Sequence, residues 1–128
     1  MAKTLNRAFE DELAAAGGSL PSWLILLSLK SGRPETQREL AGAVGIRGAT
    51  LTHHLDGLER AGLVTRSRDP GNRRVQRVEL TAEGDAAFHR LRKVAMSFDE
   101  RLRSGLSQQE LERLGALLDR LSANVRGG

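Results

Sequence analysis

Gly45 constrains this chain more than any other residue, because two short helical patterns meet there and neither can run through it. On its N-terminal side, Thr36-Gln37-Arg38-Glu39 reads as a capping box. The Thr hydroxyl accepts from the backbone N–H three residues on, and the Glu reaches back. The helix it opens buries Leu40, Ala43 and Val44 and stops at Gly45. On the other side, a helix over residues 48–61 carries its apolar stripe at Leu51, Leu55 and Leu58, and Gly62 ends it. Leu40 and Val44 then face Leu51 and Leu55. Small Ala41 lets the helices approach, Gly45 supplies the left-handed turn residue, and Ile46 fills the corner. Residues 37–56 have the spacing of a helix-turn-helix.

The segment C-terminal to this helix pair is basic. Residues 63–68 and 75–80 read as two strands, joined by the turn-forming Asp69-Pro70-Gly71-Asn72-Arg73-Arg74. The whole chain carries 20 basic and 16 acidic residues, a net charge of +4. Residues 60–78 carry Arg60, Arg66, Arg68, Arg73, Arg74 and Arg77 against Asp69 alone, a net +5. Residues 1–32 sum to zero and residues 81–128 to +1. A basic segment in a near-neutral background has the form of a phosphate-binding element. Charge alone leaves open a solvated surface hairpin.

The flanks are helical. Residues 4–16 place Leu5, Phe9 and Leu13 on one face, and Gly17-Gly18 ends that helix. Pro21 opens a short, nearly all-apolar helix over residues 22–29, closed by Gly32; a helix apolar all round belongs in the core. Thr81 caps a helix running to about residue 103, with a stripe at Phe88, Leu91, Ala95, Phe98 and Leu102. Its length, roughly 35 Å at about 1.5 Å per residue, exceeds what a compact domain of this size needs. Ser107-Gln108-Gln109-Glu110 is a second capping box, with Leu106 and Leu111 as a hydrophobic staple. Leu111, Leu114, Leu118, Leu121 and Val125 then form a seam suited to helix–helix packing. Three terminal helices with apolar stripes beside one small module predict a homodimer; packing within the chain is the alternative.

Several function classes are excluded. A chain of 128 residues is one domain's worth, with 39% hydrophobic residues to build a core. The absence of cysteine removes disulfides, thiolate metal sites and thiol redox sensing. The longest apolar run, from Trp23 to Leu27, is too short to span a bilayer, and Glu10, Asp11 and Glu12 stand where a signal peptide needs apolar residues. A soluble cytoplasmic protein with no membrane contact is expected. No Gly-rich phosphate loop, nucleophile–base arrangement or metal cluster is visible, so neither an enzyme nor a cofactor is expected. Adjacent His53 and His54 point about 100° apart on a helix and make a poor metal pair.

The order helix-turn-helix, strand, basic turn, strand, long helix describes a winged helix: mostly α, with a small β-hairpin wing. The segments TQRELAGAVGIRGATLTHHLDGLERAGLVTR and DPGNRRVQRVELTAEG resemble the MarR (multiple antibiotic resistance regulator) family of bacterial transcription factors. The resemblance is close over residues 20–90 and looser in the flanking helices. It implies one domain over residues 1–128, with a DNA-binding core at 33–81 and dimerisation helices at 1–20 and 82–126. It further implies a homodimeric repressor on a pseudo-palindromic double-stranded DNA operator, relieved by a small, often aromatic and anionic ligand. The competing reading is a winged helix used for protein–protein contact, or an anti-regulator. A net +5 wing argues against it.

The buried stripe of the second helix singles out candidate site residues. With Leu51, Leu55 and Leu58 buried, helical spacing points Ala49, Thr52, His53, Asp56 and Arg60 outward and leaves Thr50 at the flank. In a helix-turn-helix the outward N-terminal residues of the second helix enter the major groove. There Thr hydroxyls donate or accept, and Ala49 and the Thr methyls meet thymine methyls. His53 either contacts a base edge or meets only water and phosphate. His54, beside the buried stripe, reads as half-buried. Arg47, Arg66 and Arg68 are placed for phosphates, and Arg77 for a phosphate or the solvent face of a strand. By resemblance, Arg74 is the wing-tip arginine that reaches the minor groove, with Arg73 beside it. Asp69 is expected to pair with one of them and fix the turn. Asn72 stands where the family carries a second wing acid. A ligand cleft beside the dimerisation helices is expected to include Phe9, Trp23, Leu27 and His54, Trp23 being either a stacking platform or plain core. His89 reads as isolated and solvated.

Overall fold

A computed structural model describes residues 2–32 and 36–126; residues 33–35, at the predicted start of the DNA-binding core, lie outside the described residues. The elements run α1 (Ala2–Ala15), α2 (Leu20–Ser31), α3 (Gln37–Val44), α4 (Gly48–Arg60), β1 (Val64–Asp69), β2 (Asn72–Leu80), α5 (Ala82–Arg103) and α6 (Gln108–Arg126). This is the mostly helical winged helix the sequence predicts. The chain divides into two units, Met1–Ala95 and Met96–Gly128, the boundary falling within α5. Among the described residues no single helix is long and apolar enough to cross a membrane.

Local chemistry explains where the helices begin and end. Thr36 and Glu39 form the predicted capping box, and Gly45 ends α3 in the left-handed region at φ 77°. α2 starts two residues before its predicted position. Ser19 caps it, Ser22 supplies the reciprocal bond in place of Glu or Gln, and Pro21 falls in the first turn.

Two apolar clusters hold the first unit together. Ile25, Leu40, Leu51, Leu55, Leu58, Val64 and Val78 form one, joining α2, α3, α4 and the hairpin. Leu13, Trp23, Leu26, Ala87, Phe88 and Leu91 form the other, joining α1, α2 and α5. α2 supplies both, which is why it has no polar face. Where the hairpin enters α5, the Thr81 hydroxyl accepts from Gly84 N–H at 3.0 Å and donates to the Gly62 carbonyl at 2.6 Å. A Cβ on Gly84 would lie 2.0 Å from the Leu63 carbonyl oxygen, so only glycine lets the helix sit this close.

The second unit has a different character. Ser107 and Glu110 form the second predicted capping box, with bonds of 2.9 and 3.1 Å, and the Ser107 N–H holds the Glu110 carboxyl below its usual pKa. Along the α6 seam Leu111 is half-buried, while Leu114, Leu118, Leu121 and Val125, with Leu117 beside them, are 48–84% exposed.

Candidate nucleic-acid interface

α4 presents its N-terminal half to solvent. Ala49, Thr50 and His53 are exposed, and Arg47 at the N-cap makes no side-chain capping bond. Thr52 departs from the outward hydroxyl that helical spacing predicts. It is half-buried, its Oγ1 donates to the Gly48 carbonyl at 2.9 Å, and it accepts from Gln37 Nε2 at 2.8 Å. The polar end of Thr52 is turned into the protein.

The hairpin sorts its arginines into two kinds. Val64 to Arg68 pair in register with Leu80 to Gln76, and then Asp69 pairs with Asn72. Arg73, Arg74 and Val75 therefore have no partner on β1. They form a bulge at the wing tip, and both arginines are exposed with no side-chain partner among the described residues. Asn72 Oδ1 accepts from the Arg74 backbone N–H at 3.1 Å, and Arg68 Nη1 donates to the Arg73 carbonyl at 2.8 Å. Asn72 and Arg68 hold the backbone of the tip and leave its guanidinium groups free.

Further down the wing the arginines are paired. Asp69 does not pair with Arg73 or Arg74; it accepts at 2.9 Å from Nε of Arg77, the register partner of Ser67 two residues back on β1. Arg66, expected at a phosphate, is 13% exposed and donates through Nη2 to Asp56 at 2.5 Å and Glu59 at 2.8 Å. It ties β1 to the last turns of α4. The Glu59 carboxyl is held below its usual pKa chiefly by its hydrogen bond from Arg66, and the same bond raises the Arg66 pKa against the cost of burial.

Between wing and helices lies an open cleft of about 710 Å³, lined by Thr36, Gln37, Arg38, Gly48, Asn72 and Arg74 among others. It brings together the N-terminal ends of α3 and α4 and the wing-tip arginine. Partial positive charge at both helix ends and the Arg74 guanidinium favour an anion there. Gln37 and Arg38 are the members that sequence reasoning missed. Helical spacing along α4 reports only that helix's own outward face, whereas these residues reach the cleft from α3.

The expected ligand residues separate. Trp23 is buried and stacked on Phe88, ring centroids 5.7 Å apart and planes 12° from parallel, and Phe9 and Leu27 pack against the same cluster. Trp23 is therefore core, one of the two roles its position left open, while Phe9 and Leu27 are half-buried at the edge of the same cluster. His54, half-buried as predicted, instead lines a cleft of about 360 Å³ with His53, Arg60, Arg90, Leu26 and Leu91. His89 is not isolated: its Nε2 lies 3.4 Å from Asp85 and its ring meets the Phe88 ring edge-on at 5.2 Å.

The model of the MarR family matches residues 19–75. The solved structure of the transcriptional regulator PA3341 is 33% identical, covers 99% of this chain and 93% of that one, and superposes with a TM-score of 0.80. A probable transcriptional regulator from Pseudomonas aeruginosa is 28% identical over 94% of this chain and 92% of its own, at a TM-score of 0.80. The transcriptional repressor CouR, solved bound to a 23-mer DNA duplex, is 28% identical over 94% of this chain and 86% of its own, at 0.83.

Proposed function

This chain belongs to the MarR family of transcriptional regulators, DNA-binding winged helices, and from that premise we propose that it works in the cytoplasm as a homodimeric repressor. Each protomer holds one half of a pseudo-palindromic operator, and a small aromatic anion releases the complex. The observation that carries the reading is the wing tip. The bulge displays Arg73 and Arg74 without carboxylate partners, while Arg66 and Arg77 on the same hairpin are paired. An unpaired arginine on a projecting tip suits a narrow minor groove, where the potential is most negative. Ala49, Thr50, Thr52 and His53 face the adjacent major groove, and Arg47 and Arg38 meet phosphates.

The dimer rests on the second unit. Fully burying a leucine contributes about 1.5–3 kcal/mol. The exposed face of α6 carries four leucines and a valine, and a second copy brings the same face by two-fold symmetry. Two protomers contacting about 8 phosphates give a log–log salt slope of roughly −7. The release step rests on the smaller cleft. His53 and His54 lie on the helix that enters the groove, and Arg60 and Arg90 offer charge to an anion. A ligand bound there competes directly with the geometry that reads DNA. CouR is a repressor on DNA, which favours repression over activation here.

The test is fluorescence anisotropy at about 0.15 M salt. The full-length protein is titrated onto DNA from upstream of its own gene and onto a scrambled duplex. Binding at least ~10³-fold tighter to the upstream DNA, reversed by added aromatic acids, is the expected result. Equal weak binding to both, with no palindrome recovered from random DNA, would leave the wing as a protein-binding surface instead.

A further inference from the structure

The structure assigns Gln37 as a positioning residue for base selection: it fixes the side chain of Thr52 on the helix that reads the groove. The inference rests on the DNA-binding reading above and adds to it a residue that touches no base.

Threonine on a helix divides between two χ1 rotamers, because its hydroxyl can bond a carbonyl one turn back. Thr52 makes that back-bond to Gly48, which uses its only proton. Gln37, on the preceding helix, then donates Nε2 to one of the two lone pairs of the same oxygen. Two bonds from two elements hold Oγ1 in one staggered position, and the γ-methyl occupies another, about 120° away. With the hydroxyl committed to the protein, the methyl is the group left to meet a base edge, and its natural partner is the thymine methyl. Without Gln37, Thr52 regains its second rotamer and with it a hydroxyl that accepts from or donates to any base.

A second observation separates positioning from mere stabilisation. Gln37 Oε1 is buried with no hydrogen-bond partner among the described residues. An orphaned buried carbonyl is destabilising, and Gln37→Leu removes it together with the bond to Thr52. In the free variant the Thr52 hydroxyl can still return its proton to Gly48, so no new buried group is orphaned, but nothing from α3 holds it there when a base competes. The melting temperature of Gln37→Leu is therefore expected to stay level or rise, while base selection suffers.

The experiment selects binding sites from random duplexes with four full-length proteins: wild type, Gln37→Leu, Gln37→Glu and Thr52→Ser. Wild type should enrich a palindrome with thymine favoured at one position of each half-site. Gln37→Leu should lose about tenfold in preference at that position alone, the same position Thr52→Ser relaxes by removing the methyl. Gln37→Glu should retain the preference, because its carboxylate accepts the Thr52 proton and keeps Oγ1 facing α3. The salt slope of Gln37→Leu should match wild type. An unchanged base profile in Gln37→Leu, or a slope reduced by about one per protomer as for a lost phosphate contact, would overturn the assignment. A wild type that enriches no sequence at all would overturn the DNA-reading proposal itself, and the inference with it.

Discussion

Arg66 and Arg74 belong to one hairpin and one basic segment, yet their surroundings differ completely. Arg66 stands on β1 opposite Val78, half-enclosed, with Asp56 and Glu59 on its guanidinium. Arg74 stands on the bulge, exposed, its backbone N–H held by Asn72 and its side chain without a partner among the described residues. The base of the wing uses arginine as a strut, and the tip uses it as a probe. The difference teaches that charge count locates a nucleic-acid-binding element without saying which charges touch the nucleic acid. Of the six arginines in residues 60–78, Arg66 and Arg77 are already answered by carboxylates.

The sharpest way to break this contrast is to truncate each arginine in turn. Arg74→Ala should cost about 1–3 kcal/mol per contact. With two wings on one operator, affinity should fall roughly 100-fold or more by anisotropy, with no change in melting temperature. Arg66→Ala should do the reverse. It removes a buried aliphatic stem and a link between β1 and α4, worth about 1–2 kcal/mol when the freed carboxylates can rehydrate. A melting temperature lower by about 4–8 °C is expected from calorimetry. Operator binding measured well below that temperature should change less than for Arg74→Ala. If Arg66→Ala instead lost affinity at full stability, the strut would be a phosphate contact after all.

Asp69→Asn probes the boundary between the two regions. The Asp69–Arg77 pair is part-exposed, so its loss should cost no more than about 1 kcal/mol. It also removes a negative charge beside the tip. Binding to scrambled DNA should therefore tighten a few-fold at low salt, while discrimination between operator and scrambled duplex falls. Unchanged binding to scrambled DNA would show that the Asp69 charge is not felt at the DNA backbone.

The contrast also marks what a sequence can carry. The capping boxes at Thr36–Glu39 and Ser107–Glu110, and the left-handed turn at Gly45, were legible because each depends on residues within one or two turns. The pairing of Asp69 was not, because it depends on how far the ladder slips. Three residues of β2 face nothing on β1, so the slip takes Arg74 off the ladder, and the carboxylate bonds Arg77, which stays in register opposite Ser67. Thr52 shows the same limit. Helical spacing gives the direction of a Cα–Cβ bond, but the partner of its hydroxyl comes from α3. Trp23, which the sequence leaves open as a stacking platform or plain core, was undecided for a third reason. With aromatics at only 3% of the chain, Trp23 and Phe88 are needed as core and are not left over for a ligand. Gly84 lies inside the DPGNRRVQRVELTAEG string, and its purpose becomes visible only once Leu63 is seen against it.

The smallest expected effect separates the two parts of the strut itself. The Glu59 carboxyl sits below its ordinary pKa of 4.5, chiefly through the hydrogen bond from Arg66. A carboxylate with a depressed folded-state pKa stabilises the fold above its unfolded pKa and loses that contribution as pH falls through the folded value. Arg66, whose pKa is raised, stays charged throughout. The difference in melting temperature between wild type and Arg66→Ala should thus be constant from about pH 7 to 5 and shrink below about 4.5. Asp85 and Glu110 are also held low, by Lys30 and by Ser107, but both variants keep those groups, so they cancel in the difference. Arg74→Ala should show no gap at any pH. A gap for Arg66→Ala that persists undiminished to about pH 3 would mean that its packed stem, and not its bond to Glu59, holds the base of the wing to α4.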